Sequence, residues 1–423
     1  MDDLSLWNLS AAEPPLAATS EAPVEGAADV VIIGGGYTGL ATALFAAARG
    51  MSVQVIEARC IGYGGSGRNV GLVNAGLWVP PDKLVETLGP KVGRRFLDLF
   101  GNGPQVVFDL IEKHQIRCEP RREGSIHAAH SAAGLRDLQG RFDAWRRHGA
   151  PVDLLDRDEM QDRTGTRLYR GGLLDHRAGK VNPMGYARGL ARAALGAGAR
   201  ISTGAPATGL VRQGALWRVT TARGTIEAPQ VVLATNAYGG ALWPDLDRAY
   251  SVIHFFQLAT DPMGEASAQV LPGGQGLWDT APVMTALTRD AEGRVIVGSM
   301  GRMIGTPQGG ISARWARKRL ARLFPDLGAL RFTQGWDGRI AMTPDHMPRI
   351  CHLETGLFAP LGYNGRGITT GTLFGRALAQ VLAGAPRESL PLPVTPLQRL
   401  RMPGLQSRAL DLAFTAHQMI GGV

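Results

Sequence analysis

The stretch from Asp29 to Glu57, DVVIIGGGYTGLATALFAAARGMSVQVIE, constrains the fold more than any other part of the chain. Four apolar residues at 30–33 are too short a run for a buried helix, and a glycine turn, an alanine-rich helix and a second short strand follow them. The second strand ends on an acidic residue. This order of elements predicts a β-α-β unit that binds an adenine dinucleotide.

Each glycine in this unit has a separate physical task. Gly34 makes the turn off the strand, Gly36 leaves room for a pyrophosphate, and Gly39 lets the helix lie close to the sheet. The helix N-terminus offers N–H groups and a partial positive charge to phosphates. Glu57 can accept hydrogen bonds from the ribose hydroxyls and would repel a 2′-phosphate. The unit alone does not separate NAD from FAD.

Composition excludes several classes of function. The net charge of +9 comes from 45 Lys+Arg against 36 Asp+Glu, but no dense basic run interleaved with aromatic residues is present, so no nucleic-acid partner is expected. Cys60, Cys118 and Cys351 are far apart, which predicts a reducing, cytoplasmic location without disulfides, and no motif has metal-ligand spacing. We expect no transmembrane segment, because no apolar run is long enough.

A second glycine-rich turn, 362–367, precedes a helix that begins near Ile368. It follows a short strand, and it aims a second helix N-terminus at a ligand. A nicotinamide dehydrogenase does not need such an element at its C-terminal end. A flavin does benefit from it, because its pyrimidine ring becomes anionic on reduction. The loop 60–76, which is rich in glycine, follows the ribose acid directly and is placed to continue the dinucleotide site.

Six motifs in order resemble the D-amino-acid oxidase/sarcosine oxidase superfamily of FAD-dependent oxidoreductases: GGGYTGL, GYGGSGRNVG, GGLLD, VVLATNAY, TPDHMPRI and GYNGRGITTGTLFG. The SGRN loop and the N-terminal arm are most similar to the gamma-glutamylputrescine oxidase branch. The resemblance implies an α/β FAD-binding domain, Rossmann-like and of the glutathione-reductase type, and an α+β substrate domain with a mostly antiparallel sheet. It also implies hydride transfer from an amine or amino acid to flavin N5, hydrolysis of the imine, and reoxidation by oxygen with release of hydrogen peroxide.

Under this resemblance the chain divides into an N-terminal arm (residues 1–28), a discontinuous FAD-binding domain (29–80, 150–240 and 333–390), a substrate domain (81–149 and 241–332) and a C-terminal surface segment (391–423). We expect the arm to run extended over the surface. The predicted FAD-binding residues are Gly34, Gly36, Tyr37, Thr38, Gly39, Glu57, Ala58, Arg59, Ser66, Gly67, Arg68, Asn69, Gly71, Thr208, Ala234, Thr235, Asn236, Gly362, Asn364, Gly365, Gly367 and Ile368. The candidates for catalysis are Arg366, Tyr363, His254 and Trp336.

The chain departs from the family pattern at three positions. Gly338 stands where monomeric sarcosine oxidases carry the cysteine that attaches flavin, so FAD is expected to be noncovalent. Ile296 stands in place of a lysine that activates oxygen, which keeps open a dehydrogenase that passes electrons to a quinone or carrier. Arg366 replaces a histidine, and a cation there could neutralise reduced flavin or bind a substrate carboxylate.

The substrate itself is not identified by any motif. A flavoprotein that uses FAD for binding or assembly is a further alternative, which no sequence feature favours. The partners predicted are therefore a small-molecule amine or amino acid, together with oxygen or an electron carrier.

Overall fold

The computed structural model describes residues 5–16, 23–240, 242–390 and 392–420. The helices are α1 (Leu6–Ser10), α2 (Tyr37–Ala47), α3 (Pro81–Leu88), α4 (Pro90–Gly101), α5 (Gly103–Lys113), α6 (Ala132–Arg147), α7 (Arg157–Thr164), α8 (Pro183–Gly196), α9 (Ile311–Leu323), α10 (Gly367–Leu382) and α11 (Pro403–Ile420). The strands are β1 (Gly26–Ala27), β2 (Val30–Ile33), β3 (Val53–Ile56), β4 (Leu72–Val73), β5 (Ser125–Ala128), β6 (Val152–Leu155), β7 (Gly172–Asp175), β8 (Gly179–Lys180), β9 (Arg200–Ser202), β10 (Ala207–Gln213), β11 (Leu216–Thr221), β12 (Gly224–Ala228), β13 (Gln230–Leu233), β14 (Ser251–Thr260), β15 (Gly276–Asp279), β16 (Thr285–Arg289), β17 (Val295–Met300), β18 (Phe332–Met342), β19 (Arg349–Glu354), β20 (Leu357–Leu361) and β21 (Val394–Thr395).

The predicted β-α-β unit lies at the centre of a seven-stranded sheet of order β21-β19-β20-β13-β2-β3-β9. The five strands from β20 to β9 are parallel. All four residues of β2 are buried, as is usual for a strand covered on both faces. Ile32 packs into the core formed with α2, and Val31 packs toward a four-stranded sheet of order β1-β12-β11-β10. Helices therefore cover one face and a small sheet covers the other.

A second large sheet has eight strands in the order β18-β14-β17-β16-β15-β5-β7-β6. Only the β15–β5 pair is parallel, so the sheet is mostly antiparallel. Helix α9 covers one of its faces, where Trp315 meets the ring of Phe256 edge-on at 5.3 Å between ring centroids. The predicted fold class, a Rossmann-like domain with a second domain built on a mostly antiparallel sheet, is confirmed.

The predicted domain boundaries do not coincide with the sheets. Strands β6 and β7, which we placed in the FAD-binding domain, pair within the eight-stranded sheet, and so does β18. Helices α4 and α5, which we placed in the substrate domain, share a core with α2 and α10, and Phe100 meets Phe374 edge-on. Assignment by order along the chain failed here because strand pairing is decided by partners that are distant in sequence.

The two terminal segments are packed more closely than we expected. The described part of the arm contains α1 rather than an extended chain, and Leu6 and Trp7 are buried. Trp7 meets Trp336 at 6.1 Å between ring centroids. Residues 1–4 and 17–22 of the arm lie outside the described residues, as do residues 391 and 421–423 of the C-terminal segment. Helix α11 in that segment packs against β14 and buries Phe414.

Candidate active site

A cavity of about 880 Å³ opens between the seven-stranded and eight-stranded sheets. One end is lined by Glu57, Arg59 and Ala207, and the other by Trp278 and Arg366. Its size is in the upper part of the range for small-molecule and cofactor sites. The cavity therefore joins the glycine turn after β2 to the glycine turn before α10 in one continuous space.

The first end is shaped by glycines and by one fixed carboxylate. Gly34 has a φ of +116°, and a Cβ on it would lie 2.7 Å from the carbonyl oxygen of Ala234. The Glu57 carboxylate accepts hydrogen bonds from the N–H groups of Gly35 at 2.6 Å and Arg59 at 2.8 Å. Burial raises the pKa of Glu57, although these donors oppose the shift. The carboxylate is thus oriented by the backbone at the end of β3, with lone pairs left for a ligand.

Two helices begin beside each other at the middle of the cavity. Residues at the starts of α2 and α10, including Thr38 and Gly367, line it. The helices cross closely, because a Cβ on Gly371 would lie 2.9 Å from Thr38 Oγ1 and a Cβ on Gly375 would lie 2.6 Å from Ala41 Cβ. The hydroxyl groups of Thr38 and Tyr363 are hydrogen-bonded at 2.6 Å. Two positive helix ends therefore face the same space, which favours an anionic or electron-rich ligand.

The second end is built around a buried guanidinium. Arg366 lies over the rings of Trp78 at 5.0 Å and Trp278 at 5.2 Å, and its Nη1 donates to the carbonyl oxygen of Ala75 at 3.1 Å. Among the described residues no carboxylate forms an ion pair with it, and its Nε has no hydrogen-bond partner. Burial, and then the charge of Arg141, lowers the pKa of Arg366 to about 9. A negatively charged group in the cavity would stabilise this cation.

Next to Arg366 lie a neutral imidazole and charged groups that are already paired, Asp137 with Arg141 and Asp279 with Arg319. His127 stacks on Trp278 at 4.8 Å, and burial lowers the pKa of His127 well below its usual range, so its ring is neutral at neutral pH. Asp279, which also lines the cavity, forms a buried ion pair with Arg319 at 2.7 Å. The Asp279 carboxylate is therefore already paired with Arg319. Arg366 has no ion-pair partner among the described residues, although the more distant charge of Asp175 opposes the lowering of its pKa.

The predicted site residues fall into three groups. Those that line the cavity are Gly34, Gly36, Tyr37, Thr38, Glu57, Ala58, Arg59, Ser66, Asn69, Ala234, Thr235, Asn236, Tyr363, Asn364, Gly365, Arg366 and Gly367. Those that lie behind its walls are Gly39, Gly67, Arg68, Gly71, Gly362 and Ile368. The glycines of this second group allow close packing. A Cβ on Gly39, for example, would overlap the carbonyl oxygen of Gly34.

The third group consists of three predictions that the structure corrects. His254 turns away from the cavity and bonds Asp411 of α11 at 3.0 Å. Trp336 is buried against α1, where its Nε1 donates to the carbonyl oxygen of Arg68 at 2.8 Å. Thr208 is exposed, and the cavity is lined instead by Pro206 and Ala207. Strand alternation explains the errors at His254 and Trp336, because the sequence shows two faces and does not show which one meets a ligand. The resemblance implied that Thr208 contacts adenine through its backbone, and the nearest cavity residue is one position earlier, at Ala207.

Sequence reasoning missed three residues at the second end, namely Trp78, His127 and Arg141. Trp78 donates from Nε1 to the carbonyl oxygen of Asn364 at 2.5 Å, and Arg141 donates to the carbonyl oxygen of Trp78 at 2.9 Å. The only available signal for Trp78 was its position just after the glycine-rich loop. His127 and Arg141 lie on a strand and a helix with no local motif, so only tertiary packing brings them to the cavity.

Residues 29–381 match the model of a family described as FAD dependent oxidoreductase, DAO. The chain is 32% identical over 363 residues to a probable oxidoreductase OrdL of Rhizobium meliloti (strain 1021), which covers 85% of this chain and 84% of the relative. It is 29% identical over 359 residues to gamma-glutamylputrescine oxidoreductase of Escherichia coli (strain K12), with 84% of each chain covered.

Solved structures show the same fold. Glycine oxidase from Geobacillus kaustophilus superposes with a TM-score of 0.70 at 22% identity, and the match covers 89% of this chain and all of that one (100%). L-amino acid deaminase from Proteus vulgaris superposes with a TM-score of 0.72 at 17% identity, covering 94% and 99% of the two chains. At these identities the likeness establishes the fold, and function must be argued from the site.

Proposed function

The chain belongs to the DAO family of FAD-dependent oxidoreductases and is an enzyme of the amine and amino-acid oxidase type, and on that premise we propose that it oxidises a C–N bond with noncovalently bound FAD. The observation that carries the proposal is the continuous cavity, which holds the carboxylate of Glu57 at one end, two helix starts in the middle and an aromatic pocket with a cation at the other.

The residues present fit FAD. Gly34 and Gly36 leave the backbone open where a pyrophosphate would approach the start of α2, and a Cβ on Gly36 would lie 2.8 Å from Ser66 Oγ. Glu57 would accept hydrogen bonds from the ribose hydroxyls. The start of α10 would face the flavin ring, where a positive helix end stabilises negative charge. Pro206 and Ala207, rather than Thr208, would meet the adenine.

Two observations support noncovalent attachment. None of the described residues that line the cavity is a cysteine. Gly338, where related enzymes carry the attaching cysteine, packs against the ring of Phe255, and a Cβ there would collide with that ring. Precipitation of the protein with acid is therefore expected to release all of the flavin into the supernatant.

Bound FAD would supply the acceptor for a hydride from the carbon that bears the amine. The resulting imine would be hydrolysed, and oxygen would take the electrons and give hydrogen peroxide. The chain's own residues would exclude water and orient the substrate. Trp78 and Trp278 would form apolar walls, neutral His127 would add no charge, and Arg366 would face the negative end of the substrate or the reduced ring. Tyr363 would be held by Thr38 beside the flavin.

A dehydrogenase that passes electrons to a quinone or carrier is the second candidate, and Ile296 favours it. This side chain is fully buried with Leu6, Trp7 and Trp336, so no lysine ammonium acts on oxygen from that position. The oxidase and the dehydrogenase would act on the same substrates. A small amine or amino acid is expected in either case, without nucleic acid, and the cytoplasmic location stays a prediction. None of the described helices is long and apolar enough to cross a membrane.

The decisive experiment uses the purified, FAD-loaded protein without oxygen and a panel of amines, amino acids and N-methyl amino acids. At least one compound is expected to bleach the flavin absorbance. Rapid return of the absorbance when oxygen is admitted in a stopped-flow instrument, with matching peroxide, would establish the oxidase. Slow return with oxygen but rapid return with a quinone would favour the dehydrogenase. A protein that takes up no FAD, or whose flavin no compound reduces, would contradict both.

A further inference from the structure

Helix α11 packs one face against the described part of the chain, and no described residue covers its apolar outer face. Its inner face buries Phe414 and Gln418 and places Asp411 between His254 and Arg302, with both distances 3.0 Å. On its outer face and the residue before it, six apolar residues recur at alternating intervals of three and four. We call this set the outer seam: Met402, Leu405, Ala409, Leu412, Ala416 and Met419.

The outer seam is exposed along its whole length. The side chain of Leu412 is 72% exposed, and Ile420, just beyond the seam, is 79% exposed. Of the nine large hydrophobic residues that are exposed in the described parts of the chain, five lie between residues 402 and 420. Single exposed apolar residues are normal on a protein surface, but a continuous stripe of them indicates an interaction surface.

The spacing of the seam indicates a helix as its partner. Intervals of three and four residues repeat a heptad with apolar a and d positions, and the exposed residues Ala413 and Ile420 widen this apolar face on one side. A helix that lies on a membrane carries a broader apolar face flanked by many basic residues. The seam is flanked by two arginines and four uncharged residues, which are few basic groups for a membrane-bound helix: Arg401, Gln406, Arg408, Ala413, Thr415 and Ile420.

The order of large and small residues along the seam points to a second copy of the same helix. The large side chains Leu405 and Leu412 occupy d positions, and Ala409 and Ala416 occupy a positions. In a parallel pair, each a position faces an a position and each d position faces a d position. Alanine would then face alanine and leave a gap, and leucine would face leucine and be crowded. In an antiparallel pair, a faces d, and every leucine would lie opposite an alanine. The four leucine–alanine layers would then have equal volume.

We propose that two copies of this chain associate through antiparallel packing of their outer seams about a two-fold axis near residues 410 and 411. In this arrangement Leu412 faces Ala409 of the second copy, and Leu405 faces Ala416 of the second copy. The two remaining layers pair Met402 with Met419. Arg408 lies nearest Thr415 of the second copy, and the two copies of Arg408 lie about 7.5 Å apart along the helix axis, on either side of the two-fold. The interface is isologous, as a closed dimer requires.

The expected strength follows from the size of the contact. The seam spans 17 residue steps, or about 25 Å of helix, and it is one helix wide. Such a contact is at the lower end of the size range of specific interfaces. We therefore expect a reversible dimer whose population rises with protein concentration.

Sedimentation velocity of the full-length, FAD-loaded protein over a wide concentration range tests the proposal. The wild type is expected to shift from monomer to dimer. Leu412→Glu is expected to stay monomeric with its flavin absorbance unchanged, because the substitution lies on an exposed face far in sequence from the cavity residues. The matched control is Val211→Glu on β10, which adds the same charge at another exposed apolar position and should dimerise like the wild type. A monomeric wild type, or a Leu412→Glu dimer, would overturn the proposal.

Disulfide trapping tests the orientation. In a Cys60→Ser background, which removes the exposed cysteine, Leu405→Cys and Ala416→Cys proteins are oxidised singly and as a mixture. Antiparallel packing predicts a covalent dimer only in the mixture, because two copies of position 405 would be about 16 Å apart along the helix axis. A covalent dimer of Leu405→Cys alone would show parallel packing and refute the model. Binding of the monomer to anionic phospholipid vesicles without dimerisation would also refute it.

Discussion

The two ends of the cavity carry ionisable side chains of opposite charge, Glu57 at one end and Arg366 at the other. Glu57 is a half-buried acid whose carboxylate accepts hydrogen bonds from two backbone N–H groups. Arg366 is a buried cation that lies over two indole rings and forms no ion pair with any described carboxylate. Burial works against the charged form of both groups, raising the pKa of Glu57 and lowering that of Arg366. Each residue is therefore poised to gain from a ligand of complementary character.

The pH dependence of FAD affinity should follow Glu57. The ribose hydroxyls donate to its carboxylate, and protonation removes this acceptor, so affinity should fall as the pH drops toward the raised pKa, above the ordinary value of 4.5. Glu57→Gln is expected to weaken FAD binding about ten- to a hundred-fold at neutral pH, since hydrogen bonds to charged groups contribute about 1.5–3 kcal/mol. Titration of apoprotein with FAD, followed by flavin fluorescence at several pH values, measures both effects.

The variant should also lose the acid dependence that Glu57 causes. The folding stability of the FAD-free protein should depend on pH in the opposite direction from FAD affinity. Because the pKa of Glu57 is raised in the folded state, its contribution to stability is present at low pH and is lost as the pH rises through that pKa. Glu86→Gln, on the exposed face of α3, is a suitable control and should bind FAD like the wild type. Equal FAD affinity of Glu57→Gln and wild type would contradict the assigned role.

At the scale of elements, the close crossing of α2 and α10 decides the geometry of the site. Gly371 and Gly375 lie four residues apart on one face of α10, and their lack of side chains lets this face approach Thr38 and Ala41 of α2. Because of this approach, the two helix starts open onto one cavity. The pattern is visible in the sequence, but its partner helix lies more than three hundred residues away.

Gly375→Val is expected to push the two helices apart. Its Cβ alone would lie 2.6 Å from Ala41 Cβ and 2.8 Å from the carbonyl oxygen of Thr38, so overpacking should cost about 1–3 kcal/mol and weaken FAD binding. Thermal unfolding and FAD titration measure these two losses. The control is Gly140→Ala in α6, where a Cβ meets no atom within 4 Å and the better helix propensity should stabilise by about 1 kcal/mol. A Gly375→Val protein as stable as wild type would show that the crossing is not tightly packed.

At the scale of the whole molecule, the cavity is walled by both large sheets. Gly34 and Ala234 belong to loops at the ends of strands in the seven-stranded sheet, and Trp278 and Gly298 lie on strands of the eight-stranded sheet. A ligand that fills the cavity therefore contacts both halves of the fold at once. Ligand binding should stabilise the native state as a whole.

Removal of FAD is therefore expected to lower the melting temperature. Restoring FAD should raise it in proportion to the logarithm of its free concentration, with about 2.7 kcal/mol of stabilisation at a hundred times the dissociation constant. ADP should give a smaller shift, because it reaches only the end of the cavity near Glu57. Circular dichroism melts with FAD, ADP or neither provide the comparison. Identical shifts with ADP and FAD would indicate that the flavin end adds no contacts.

The sequence predicted those features whose cause is local. The strand, glycine turn, helix and acid between Asp29 and Glu57 depend on backbone conformations and residue sizes within about thirty positions, and they lie in the structure as expected. The second glycine turn and the helix after it are of the same kind. The order of motifs was enough to predict the family and the fold class.

Tertiary structure alone decided which side chains face the cavity and where the terminal helices α1 and α11 pack. His254 and Trp336 lie on strands whose two faces look alike in sequence, and packing against α11 and α1 turned both away from the cavity. Trp78, His127 and Arg366 meet only because segments far apart in the chain fold together. A backbone motif is determined by its neighbours in sequence, whereas a pocket wall and an unused helix face are determined by neighbours in space.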